Sequence, residues 1–347
     1  MQTRSAQQFD PARTHATLRF AFGVTVAFVV SELMQWVPTF LAPVLVAVVL
    51  VNVPIRPPLK VAVGLIAIVA ATALIALLLS TALLPTPLLL FGAAAVVVFR
   101  TLYVIAEGRP RVAPLFMLMC VTTIPVIALE SPSIAGSFGY ALVRSTGVAI
   151  LVAWTAHLLW PRIPPPRSAA RPLPLPPDAR LKSALLGTAI LTPLMLVYLL
   201  FGLTNALPVL VATSMIVMNL DFRQGRMQAL ALVAGNLGGG IVALVMFVLI
   251  AVQPSLIFLC LITVLTGLAY GWRTSAGDPM AAVVLVACNA TFIVFSSALA
   301  SDTGTVDFWI TRLTQFVIAG AFAIGMMTLL WTVKEQPTAP TPTPSST

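Results

Sequence analysis

The chain has 347 residues, of which 59% are hydrophobic and 8% charged, and its mean hydropathy is +1.04. Soluble domains carry about 25% charged residues, so this composition excludes a soluble globule and indicates a polytopic membrane protein. The net charge of +9 does not indicate nucleic acid, because the basic residues are spread over short loops between apolar runs, as a topology signal requires.

Residues 1–16 form a polar tail with Arg4, Arg13 and His15. The first apolar run, Leu18 to Trp36, is close to the ~20 residues of a spanning helix and has no small-residue cleavage site behind it, so it is expected to be retained. Runs follow from Thr39 to Val53, Val61 to Leu79, Leu88 to Ala106, Val112 to Leu129 and Gly139 to Trp160, completing a first membrane unit over residues 17–160. Residues 161–180 are rich in proline and are expected to run as an extended connector. A second unit over residues 181–334 holds runs from Leu181 to Leu203, Asn205 to Leu220, Met227 to Ala251, Leu256 to Trp272, Met280 to Ala300 and Phe308 to Trp331, before a Pro- and Thr-rich tail at 335–347. The predicted fold class is an all-α integral membrane protein of about twelve transmembrane helices.

Cytoplasmic loops collect Lys and Arg. With both termini inside, the basic loops at Arg56 and Lys60, Arg109 and Arg111, the connector, Arg223 and Arg226, Arg273 and Lys334 all fall on the inner side, and Arg100 can snorkel to it. The outer loops hold Glu130, Asp302 and Asp307 and neither Lys nor Arg. The run from Thr39 to Val53 is only about 22 Å long as a helix, yet it must cross, because otherwise every basic loop up to the connector would move outside.

The halves repeat one another. Val51-Asn52-Val-Pro-Ile-Arg56 aligns with Met218-Asn219-Leu-Asp-Phe-Arg223, Pro43 with Pro208, Gly108-Arg-Pro110 with Gly277-Asp-Pro279, and Arg144 with Arg312. An even number of runs per half makes these parallel six-helix repeats, related by an axis along the membrane normal.

An arginine inside an apolar run costs about 3 kcal/mol on insertion scales. Arg144 and Arg312 are therefore candidates to hold a carboxylate through forked hydrogen bonds. Two other roles stay open: pairing with Glu130, Asp302 or Asp307, or snorkelling from positions near the outer ends of their runs. The short runs with Pro43 and Pro208, ending at Asn52 and Asn219, are candidates for the inner part of a substrate path, since proline frees polar backbone that must face protein or a water-filled cavity; a kinked packing helix is the alternative. Glu32 is the carboxylate placed within a run and could carry a coupling proton, although an interfacial glutamate explains it equally simply. His157 is expected at the inner interface. Asn236 and Asn289 fit interhelical packing, and Cys120, Cys260 and Cys288 read as small buried hydrophobes.

A span opening Leu18-Arg19-Phe-Ala-Phe-Gly, a short Pro-containing second span with a basic cytoplasmic turn, and six spans per half repeated once resemble the fusaric-acid-resistance and aromatic acid exporter (FUSC-like) superfamily, in a compact form without a large central cytoplasmic domain. The resemblance implies a bacterial inner-membrane exporter of organic, often aromatic, carboxylates, commonly beside a periplasmic adaptor of the membrane-fusion type. It is also similar to plant anion channels for malate.

No phosphate-binding loop, His-Glu-x-x-His motif or histidine-based catalytic set occurs, so no enzymatic activity, cofactor or metal is expected. The expected partners are a small organic anion, the lipid bilayer, an adaptor and a further copy of the chain, but not nucleic acid. A passive anion channel and a non-transporting anchor for an adaptor are the alternatives.

Overall fold

The computed structural model describes residues 11–52, 56–108, 112–161, 176–201, 210, 213–214, 222–276 and 280–300, with positions 310, 311, 314, 317, 318, 321, 322, 325 and 326. The described elements are ten helices: α1 (Pro11–Leu33), α2 (Leu41–Asn52), α3 (Leu59–Leu83), α4 (Pro87–Ala106), α5 (Val112–Glu130), α6 (Pro132–Leu159), α7 (Pro177–Phe201), α8 (Phe222–Val252), α9 (Leu256–Thr274) and α10 (Ala281–Ala300). No strand occurs among the described residues. Eight of these helices, all but α2 and α5, contain a stretch long and apolar enough to cross a membrane. Helices are the form such sequences must take in lipid, where every backbone amide and carbonyl has to be satisfied within its own segment. The chain is therefore a multi-span helical membrane protein.

Helix starts follow local chemistry more closely than hydropathy. Helices α4 and α6 open with proline in the first turn, where the missing amide hydrogen has no intrahelical partner to lose. Ser255 caps α9 by accepting from the Phe258 amide at 3.3 Å. Consequently α6 begins at Pro132, not at the expected Gly139, and its first turns are polar.

Glycine decides two of the closest helix contacts. A methyl group on Gly267 would come within 2.9 Å of Ala21 Cα, and one on Gly271 within 2.9 Å of the Thr17 carbonyl, so α9 lies directly on the backbone of α1. Gly235 and Gly239 bring α8 equally close to α10 at Val283, Val286, Ala287 and Ala290. Small residues at this spacing are the usual means of close approach in membranes, where water does not drive helices together. Further pairings include α4 with α7, α3 with α5 and α6, α2 with α1, α6 and α10, α6 with α1 and α5, and α4 with α5. Phe28 of α1 packs between Phe292 and Phe295 of α10, with ring centroids 5.3 and 5.5 Å away, and all three side chains are fully buried.

One end of the bundle is basic and tightly tied. Arg13 donates to the Trp272 carbonyl at 3.0 Å and lies 3.8 Å from the centre of that indole. Arg19, only 8% exposed, donates to the Trp160 carbonyl at 2.9 Å, and a His15 ring nitrogen lies 3.0 Å from the Pro161 carbonyl. The start of α1 thus supplies donors to the carboxyl ends of α6 and α9, whose last carbonyls lack intrahelical partners.

Pro43 stands differently from expectation. Pro43 lies in the first turn of α2, where it interrupts no helical hydrogen bond, and it is buried. Among the described helices the interior prolines are Pro125 of α5 and Pro193 of α7, which deprive the Val121 and Ala189 carbonyls of their usual partners.

Candidate functional site

The site begins at the turn that ends α1, opposite the basic end. Gln35 takes a left-handed conformation, with φ of 51°, and directs its amide to the Glu32 carbonyl at 3.1 Å, while the Trp36 amide reaches the Ser31 carbonyl at 2.9 Å. These bonds form a Schellman closure, and they turn the chain so that the Trp36 side chain follows directly from the helix. The Arg144 guanidinium carbon lies 4.4 Å from the Trp36 ring centre and 5.6 Å from that of Tyr140, one helical turn before it on α6.

Arg144 is half-buried, and its Nε and Nη2 are buried without a hydrogen-bond partner. Two aromatic rings lie beside its guanidinium, and two of its donor groups are left for another acceptor. The earlier start of α6 also changes its place along the helix. Arg144 lies about 18 Å along the helix from Pro132 and about 24 Å from Trp160, not near the end of its helix as the apolar run implied.

Glu32, in the last turn of α1, is half-buried with Oε1 buried and unpartnered, and the Thr39 hydroxyl lies beside its carboxyl group. Helix α2 leads from this region toward the basic end. There the Trp154 indole donates to the Pro57 carbonyl at 2.9 Å, and Arg56 lies 5.7 Å from the same ring. Trp154 and Arg144 are about 15 Å apart along α6, so the short α2 covers much of the depth of the bundle between these two contacts. Asn52 ends α2, but its side chain falls outside the described residues, as do Arg312, Pro208, Asn219, Asp302, Asp307 and the side chain of Glu130.

Several other polar groups in the spans are hydrogen-bonded, while Thr25 Oγ1 and Thr123 Oγ1 are buried without a partner. Asn236 is buried and donates to the Leu232 carbonyl at 2.7 Å. Thr291 Oγ1 lies 2.7 Å from the Tyr270 hydroxyl and 3.0 Å from the Gly239 carbonyl, linking α8, α9 and α10. Asn289 retains a buried, unpartnered Oδ1. His157 Nδ1 is 2.7 Å from the Ala153 carbonyl. Cys120, Cys260 and Cys288 are free, and Cys120 and Cys288 are buried.

Sequence reasoning singled out Arg144 but missed Trp36, Tyr140 and Arg19. The spacing of Tyr140 and Arg144 was a usable signal, because residues four apart share a helix face. Nothing local pointed to Trp36, since only the folded turn brings it to α6.

An apolar helical bundle with an arginine set against aromatic rings defines a multi-span membrane protein compatible with a transport role. Residues 16–156 match the family described as a protein of unknown function, DUF2955. No curated protein and no solved structure matches the chain.

Proposed function

We propose that the chain is a bacterial inner-membrane exporter of organic anions, with aromatic carboxylates as the leading substrate class. It would work without enzymatic chemistry or cofactor, and Arg144 would receive the anion. The observation that carries this reading is Arg144 itself: a cation in an apolar segment with Nε and Nη2 buried and unpartnered. A guanidinium so placed is stabilised by a carboxylate that brings two acceptors in one plane.

Other features support the finer parts of the reading. Exchanging two six-helix units would map the pairing of α1 with α9 onto that of α7 with α4, and α3 with α5 onto α8 with α10, and both pairs of contacts occur. The family match likewise begins in α1 and ends within α6, the extent of one such unit. In this scheme Arg312, Pro208 and Asn219 supply the second half's counterparts of Arg144, Pro43 and Asn52. Glu32 is the group assigned to proton coupling, and the tied basic end faces the cytoplasm. The FUSC-like kinship, a membrane-fusion-type adaptor and a homo-oligomer belong to the same proposal.

The test is accumulation of labelled benzoate and malate in cells carrying wild type, Arg144→Ala or Arg312→Ala. Wild type should lower accumulation of at least one anion and both variants should lose that effect. Equal accumulation in all three would overturn the reading, and anion flux indifferent to the proton gradient would favour a channel.

A further inference from the structure

We propose that Trp36 is a positioning residue for the anion site: the turn that closes α1 sets its indole against the Arg144 guanidinium, so that an aromatic face and not a carboxylate holds the cation. Its functional consequence rests on the exporter reading above; the clamp itself does not.

Three observations converge. The Trp36 ring centre is 4.4 Å from the guanidinium carbon, within the range of a cation–π contact, and tryptophan is the strongest partner for one. The turn that delivers it is over-determined: the Gln35 and Trp36 amides both return to α1, and the Gln35 side-chain amide donates to the Glu32 carbonyl at 2.9 Å. Gln35 meanwhile holds a left-handed φ of 51° that residues other than glycine seldom adopt, and such conformations collect where a site depends on the geometry they impose. Finally, Arg144 Nε and Nη2 remain unpartnered.

The chemistry explains why a ring suits this place. A guanidinium makes its hydrogen bonds in its own plane, through a fixed fork of N–H groups. A permanent carboxylate partner would occupy that fork and compete with a substrate anion. An aromatic ring engages the cation through its π-face, holds its charge in an apolar segment and leaves N–H groups free. Tyr140, at 5.6 Å and 67% exposed, is a weaker second wall.

The experiment is a double-mutant cycle on the purified full chain, with Trp36→Phe, Trp36→Leu, Arg144→Met and Trp36→Leu with Arg144→Met. Two quantities are measured: the melting temperature without anion, and the benzoate concentration that half-saturates its shift. Trp36→Leu should lower the melting temperature when Arg144 is present and much less when it is methionine. It should also raise the half-saturating benzoate concentration about tenfold, whereas Trp36→Phe, which keeps an aromatic face, should stay within about threefold of wild type. Equal destabilisation in both backgrounds, or Trp36→Phe as impaired as Trp36→Leu, would overturn the proposal. Thermal coupling in a wild type that ignores benzoate would support the clamp and count against the exporter reading for that anion.

Discussion

Adjacent glycines on α8 should respond to alanine in opposite directions. A methyl group on Gly238 meets nothing within 4 Å, whereas one on Gly239 would fall on the Ala287 carbonyl and 2.8 Å from Ala290 Cβ. Replacing glycine by alanine within a helix gains about 0.5–1 kcal/mol from backbone entropy, and Gly238→Ala should show that gain. At Gly239 the obstacle is backbone, which cannot rotate away as a side chain can. Overpacking of this kind costs about 1–3 kcal/mol. Separating α8 from α10 also strains the Thr291 contact with the Gly239 carbonyl, at 3.0 Å, and thereby the Tyr270 contact, at 2.7 Å. Interhelical hydrogen bonds in membranes are worth about 0.6 kcal/mol each. Gly239→Ala should therefore destabilise by about 1–3 kcal/mol net of the helix gain. Thermal unfolding in detergent, followed by retention of monodisperse protein, measures both variants under one condition. Shifts of the same sign and similar size would refute the packing of α8 on α10 described here.

Other consequences can be tested in the same preparation. Arg19→Met leaves the Trp160 carbonyl at the end of α6 without its charged donor and should cost about 1–3 kcal/mol in the same unfolding assay. Gln35→Gly relieves a left-handed non-glycine residue but removes the side-chain bond to the Glu32 carbonyl, so the two effects oppose and stability in the unfolding assay should change by less than about 1 kcal/mol. Tyr270→Phe removes the hydroxyl that meets Thr291 and should cost about 0.6 kcal/mol. Glu32→Gln keeps the shape of the end of α1 but cannot ionise, so anion export from vesicles should lose its dependence on an imposed pH gradient; retained dependence would place the coupling proton elsewhere.

The boundaries of the spans were largely legible because, in a membrane, hydropathy and helix formation are nearly the same requirement. They diverged at α1, which starts at Pro11 within the expected polar tail and not at Leu18, and at α6, where Ser131 and Pro132 mark a helix start that a hydropathy criterion passes over in favour of Gly139. That divergence misplaced Arg144 near a helix end. A proline's type is visible in sequence and its position within a turn is not: at Pro43, in the first turn of α2, no backbone is freed, while Pro125 and Pro193 carry the interior disruption. Arg19 looked like part of an opening pattern, yet its role depends on the end of α6, reached only through tertiary packing. The arginine of the site was thus apparent from its cost in an apolar run. What holds it was not, because Trp36 reaches α6 only through the closed turn after α1.

Transport of benzoate by proteoliposomes containing wild type, Arg144→Lys or Arg144→Met isolates what the forked cation contributes, with correct folding of each variant verified by its melting temperature. Arg144→Met should lose at least about tenfold in rate, and Arg144→Lys, which keeps the charge but not the forked donors, should transport at an intermediate rate. Wild-type rates in a well-folded Arg144→Met protein would contradict that contribution.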